Sequence, residues 1–160
     1  MNRRPLNEIT DEDIATYNEK GVVGLRQMFD KDWVARMHAA SFGYMDQDKG
    51  NHRKREARIP GEDARFYINT YMSHYDSEFL DFRNNSPAAE IGATLKGVNR
   101  VRYWYEQMFI KDAGTSAPTQ WHHHLPFWPF LGEDLVSIWV ASTPASEAAS
   151  GLQYVAGSHK

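Results

Sequence analysis

The chain has 160 residues, 41% of them hydrophobic and 13% aromatic, with a formal net charge of −3. That composition supports one folded domain with a real core and excludes a disordered segment. It contains no cysteine, which removes disulfides, thiolate metal ligands and cysteine nucleophiles.

The mild acidity gives no basic footprint for nucleic acid, and no apolar run approaches the roughly 20 residues that cross a bilayer. The opening MNRRPLNEITDEDIATY lacks the apolar stretch of a signal peptide. The expected setting is cytoplasmic, with a small-molecule partner and neither nucleic acid nor membrane.

Thr10 followed by Asp11, Glu12 and Asp13 reads as a helix N-cap with acids opposing the helix dipole, and Gly21 as its end. Val22-Val23-Gly24-Leu25 reads as a short strand. Asp30 caps a second helix, on which Trp33, Met37 and Ala40 share a face. Residues 46–58, DQDKGNHRKREAR, read as a charged, solvated loop or lid. Ser86-Pro87 starts another helix, with Pro at its first position, and Gly97 closes it.

From Val101 the character changes. VRYWYEQMFI, DLVSIWVAS and LQYVA read as strands separated by the turn clusters DAGTSAP, LGED and PASEAASG. Helices before strands argue for an α+β class with an antiparallel sheet, with residues 1–100 mainly helical and 101–160 supplying strands of a single domain.

The most informative stretch is TQWHHHLPFWPF, residues 119–130. In an extended segment His122 and His124 point one way and His123 the other, so the outer two can share a metal. The alternatives are a tag, which belongs at a terminus, and histidines packed in a core. Trp121, Phe127, Trp128 and Phe130 form either a dry wall beside such a site or ordinary core. On the preceding strand Tyr103, Tyr105, Gln107, Phe109 and Lys111 fall on one face and Arg102, Trp104, Glu106, Met108 and Ile110 on the other. If the first face lines a cavity, Gln107 and Lys111 are its polar members. Lys111 is then either a receiver for an anionic ligand or a solvated strand end.

WYEQMFIKDAGTSAPTQWHHHLPFWPF resembles the core of the phytanoyl-CoA dioxygenase family. These are Fe(II)- and 2-oxoglutarate-dependent oxygenases on a double-stranded β-helix, a cupin-like jelly roll. The family shows a Gln, a Lys four residues on, a Gly, then Trp-His-x-Asp and an aromatic. Here these are Gln107, Lys111, Gly114, Trp121, His122 and Trp128. LVSIWVASTP, GLQYVAGSHK and the N-terminal TDEDIATYNEKGVVGLRQMFDKDWV extend the resemblance from about residue 7 to 160.

The resemblance implies that His122 is the first metal ligand and that His124 stands at the aspartate position, the two forming the catalytic centre. It implies that Gln107, Lys111 and Trp121 line the 2-oxoglutarate pocket and that Phe127 and Trp128 lie by the substrate. A neutral imidazole at 124 leaves the iron with more net positive charge than an aspartate would. The family's second metal histidine and its 2-oxoglutarate arginine have no counterpart before Lys160, and His159 belongs to a structural turn. Ser150 and Ala156 stand where the family often has Asn and Pro. The expectation is a jelly roll lacking its C-terminal half, completed by a further segment or a second chain. Two other readings stay open: a metal-binding jelly-roll module with impaired chemistry, and a structural half-barrel with packed histidines.

Overall fold

The computed structural model describes residues 1–47, 55–129, 132 and 134–160. Helix α1 spans Asp11–Lys20. Its start is a reciprocal cap: Thr10 Oγ1 accepts from the Asp13 amide at 3.2 Å, and the Asp13 carboxylate accepts from the Thr10 amide at 2.9 Å. Gly21, at φ 77°, closes the helix and donates its N–H to Tyr17 O. Helix α2, Lys31–Gln47, begins where Asp30 accepts from the Trp33 amide at 2.8 Å. Trp33 is 2% exposed, and its indole N–H donates to Asn2 O at 2.7 Å, which satisfies the ring nitrogen inside the core.

Strands β1 (Arg55–Arg58), β2 (Arg65–Thr70) and β3 (Gln107–Lys111) form an antiparallel sheet in the order β1-β2-β3. Between β2 and β3 lie α3 (Ser77–Asn85) and α4 (Ala88–Lys96). Alternation along β3 sorts its side chains. Met108 and Ile110 are buried with Tyr67 of β2 against Met37, Tyr44 and Met45 of α2 and Phe79 of α3. Gln107 and Phe109 are exposed on the other side, and Lys111 is half-buried. A second cluster joins Met28, Ile91 and Leu95, with Ile14, Tyr17, Val23, Leu25 and Ile138 packed around it.

The caps of α1 and α2, the shared face of Trp33 and Met37, and the end at Gly97 match the sequence reading. The order of elements does not. Two strands come between the second and third helices, so helices and strands are not segregated. Arg55–Arg58, read as loop, pairs with Arg65–Ile68 because β2 offers a free edge. The central part of that charged stretch, residues 48–54, lies outside the described residues. Val22–Leu25 forms no ladder; Val23 and Leu25 instead pack against the second cluster. Pro87 is the N-cap of α4 and Ala88 its first residue, one place later than expected.

The largest difference lies beyond β3. Residues 134–142 and 152–155 carry no ladder bonds, although β-branched and aromatic side chains favour strands. A strand registers only against a neighbour, and among the described residues none flanks them. The burial alternation of a strand survives over part of the first segment: Val136 and Ile138 face Gly92 of α4, while Ser137 and Trp139 are exposed. Gly92 permits that approach, since a Cβ there would lie 3.2 Å from Val136 Cγ1.

Candidate metal and cosubstrate site

The histidine run is not in a strand. His124 adopts a right-handed helical conformation, φ −74° and ψ −31°, and caps a 3₁₀ turn over Leu125–Phe127. Pro126 fits that turn because its ring fixes a compatible φ. The alternation argument therefore does not apply at His124, yet the two outer rings still converge. The centroids of His122 and His124 are 5.3 Å apart with planes 32° from parallel.

His122 Nδ1 lies 2.7 Å from Gln120 O. A carbonyl can only accept, so Nδ1 carries a hydrogen; in a neutral ring that leaves the lone pair on Nε2, the tautomer a metal ligand needs. The pKa of His124, an exposed residue, is lowered, first by partial desolvation of its ring and then by repulsion from His122. Both effects favour the neutral, ligand-competent form. Phe127 meets His122 edge-on at 5.9 Å, and Trp128 packs 5.4 Å from His124. The Trp128 indole N–H donates to the Tyr105 hydroxyl at 3.4 Å.

Two imidazoles fit two positions of an Fe(II) coordination shell. Among the described residues, no group of three His, Asp or Glu side chains is placed to hold a metal. The remaining described histidines lie elsewhere. His38 packs on Phe42 and His74 on Tyr71. His159 sits in the C-terminal turn and donates its Nε2–H to Asn18 O at 3.2 Å, beside the Gly157 N–H that donates to Lys20 O at 2.8 Å. His52 lies outside the described residues.

Gln107 and Lys111 share the face of β3 turned away from the core. Lys111 opposes Phe66 in register, and its ammonium lies 4.9 Å from the centre of that ring. Among the described residues no carboxylate forms an ion pair with it. The strand end is fixed by Asp112, which accepts from both the backbone amide and the Nε of Arg65. Trp121 is placed differently from its neighbours. It is 69% exposed and lines an open groove of about 540 Å³ with Glu147, Leu152, Gln153 and Tyr154.

The structure thus brings His122, His124, Phe127 and Trp128 together, sets Gln107 and Lys111 on one strand face, and turns Trp121 toward residues 145–154. Two further residues take part. Tyr105, which the sequence placed on the same face as Gln107 without a role of its own, meets Trp128. The Gln120 carbonyl that orients His122 carries no side-chain signature.

No helix among the described residues is long and apolar enough to cross a membrane. Searches of curated proteins and of solved structures returned no significant match. The sequence profile of the phytanoyl-CoA dioxygenase (PhyH) family, a family of Fe(II)- and 2-oxoglutarate-dependent oxygenases, matches residues 17–160. With nine-tenths of its length matched, this chain belongs to the phytanoyl-CoA dioxygenase family.

Proposed function

We propose that the chain is an Fe(II)- and 2-oxoglutarate-dependent oxygenase that hydroxylates a C–H bond of a small, partly apolar substrate. The observation that carries this reading is the convergence of His122 and His124 at 5.3 Å beside Phe127 and Trp128, with His122 held in the ligating tautomer. In this reading His122 and His124 supply two metal ligands, and the third comes from outside the described residues. With Fe(II) bound, the centre would couple decarboxylation of 2-oxoglutarate to insertion of one atom of O₂ into the substrate, with succinate and CO₂ as co-products.

The chain's own residues bind and orient. Lys111, half-buried on Phe66, receives the distal carboxylate of 2-oxoglutarate as a charge-assisted hydrogen bond. Gln107 offers its amide two residues from the centre of the same face. Phe127 and Trp128 cover the apolar part of the substrate and keep water from it. Trp121, next to His122, walls the outer side of the cosubstrate pocket. In this reading the three-stranded sheet is one part of a double-stranded β-helix.

The test is succinate formation from 2-oxoglutarate by Fe(II)-loaded protein. Turnover that disappears in His122→Ala, with a raised KM for 2-oxoglutarate in Lys111→Ala, supports the reading. Turnover unaffected by either change overturns the assignment. A second reading is a metal-binding module with impaired chemistry. It is favoured by His124 at the family's aspartate position, which leaves only neutral donors. If the natural chain binds iron without making succinate and His124→Asp makes it, the second reading stands.

A further inference from the structure

The sheet sorts its cations by face. Arg58 and Arg65 share one face with Glu56, which lies 3.6 Å from Arg58 and 3.9 Å from Arg65, and Arg65 also pairs with Asp112 at 3.0 Å. The other face carries Arg55 from β1 and Lys111 from β3 around an apolar floor of Ala57, Phe66, Ile68 and Phe109. No strand contributes a carboxylate to that face. Among the described residues neither Arg55 nor Lys111 forms an ion pair. In a chain of net charge −3, two such cations on one carboxylate-free face favour an anion there.

Lys111 ends an edge strand, where its side chain could extend into solvent. Instead its ammonium lies 4.9 Å from the centre of the Phe66 ring on the middle strand. Phe66 is 5% exposed, and Phe109 packs 6.0 Å from it. Lys111 stands opposite Phe66 and Arg55 opposite Ile68, so the two cations flank β2 two residues apart. Ordinary strand spacings put their Cα atoms about 12 Å apart. Both side chains are long enough to meet above β2 on one carboxylate, and Ala57, opposite Phe66, adds no bulk between them. The guanidinium offers a planar fork of donors and the ammonium a compact charge, so together they serve both oxygens. We propose that Arg55 is a second receiver for the distal carboxylate of 2-oxoglutarate, closing on it with Lys111 across β2 and selecting a dicarboxylate over a monocarboxylate 2-oxo acid. The identity of the ligand rests on the oxygenase reading above; the site itself rests on the sheet.

The test is an NMR titration of metal-free protein with 2-oxoglutarate, followed at the amides of β2. A parallel titration uses 2-oxopentanoate, which has a methyl group in place of the distal carboxylate. Wild type should bind 2-oxoglutarate more tightly than 2-oxopentanoate. Arg55→Ala and Lys111→Ala should each weaken 2-oxoglutarate at least roughly fivefold and leave 2-oxopentanoate unchanged. Arg58→Ala, whose guanidinium pairs with Glu56 on the opposite face, should bind both as wild type does. Near-UV circular dichroism verifies that the variants fold. Equal affinity for 2-oxoglutarate in wild type and Arg55→Ala overturns the proposal and leaves Arg55 as a charge that only guards the sheet edge. If Lys111→Ala weakens binding in that same series, the oxygenase reading survives without Arg55. No preference for the dicarboxylate in wild type also overturns the proposal. Binding that needs both cations, in protein whose Fe(II)-loaded form makes no succinate, upholds the dicarboxylate site and overturns the oxygenase reading.

Discussion

Residues 1–111 and 112–160 are built on different terms. The first region holds all four α-helices and all three strands found among the described residues, and nearly the whole of both hydrophobic clusters. Its caps, ladders and core side chains satisfy one another. Among its described residues the second region has only two three-residue 3₁₀ turns as regular structure. Phe127, Leu152 and Tyr154 there are exposed. Its contacts with the first region include Ile138 in the second cluster, Trp128 on Tyr105, Asp112 with Arg65, Lys96 with Asp134 at 3.7 Å, and the Gly157–His159 turn on the end of α1. Yet this loosely held region carries the histidine pair. The difference shows that regular structure and core packing are concentrated in the first region, while the second, with the histidine pair, rests on it through individual contacts.

Changes to the first region should have the largest effect. Trp33→Ala removes a fully buried ring and its hydrogen bond to Asn2, and should destabilise the protein by about 3–5 kcal/mol in urea unfolding. A loss below 1 kcal/mol would mean that this core does not hold the region together. Next comes the joint between the regions. A Cβ on Gly21 would lie 2.4 Å from the His159 ring, and Gly21 sits at positive φ. Gly21→Ala should cost about 1–2 kcal/mol from the left-handed backbone alone. It should also raise amide exchange at residues 157–160, where protection unchanged from wild type would show that the turn is not docked on α1.

Changes in the second region should alter binding more than stability. His122→Ala and His124→Ala should each weaken divalent-metal affinity at least roughly tenfold, more than the loss of a group that merely supports a ligand. Their melting temperatures should stay near wild type because both rings are exposed. A large drop in melting temperature would make the pair part of the core after all.

The smallest effect is acid-linked. Asp30 is held below the usual carboxylate range, chiefly by the Trp33 amide, with the Asn2 amide and the N-terminal ammonium adding to this against the cost of burial. Its folded pKa is lower than its unfolded one, so the unfolded chain binds the proton more readily. The stabilisation is present above about pH 4 and is lost as pH falls through the carboxylate range. Asp30→Asn should flatten the stability profile there, and an unchanged slope in thermal melts across that range would remove Asp30 as its source.

What was legible in the sequence follows the same divide. Thr10, Asp30, Gly21 and Gly97 announced helix ends because caps are local chemistry. The alternation of Met108 and Ile110 against Gln107 and Phe109 was legible because a strand's period is two. Helix α3 was overlooked despite a cap signal: Asp76 accepts from the amides of Glu78 and Phe79. In DLVSIWVAS and LQYVA the side chains signalled strands, but pairing depends on neighbours that a local pattern does not contain. The histidines were found for a reason only half right. An extended run was expected to align them, whereas a turn at His124 brings the rings together.

The central claim is that His122 and His124 hold one metal ion together. The most direct measurement is a Co(II) titration followed by absorption, on wild type, His122→Ala, His124→Ala and His123→Ala. The account predicts one ion per chain with imidazole-coordinated bands, weakened in the two outer variants and intact in His123→Ala. Equal affinity across all four proteins would contradict it.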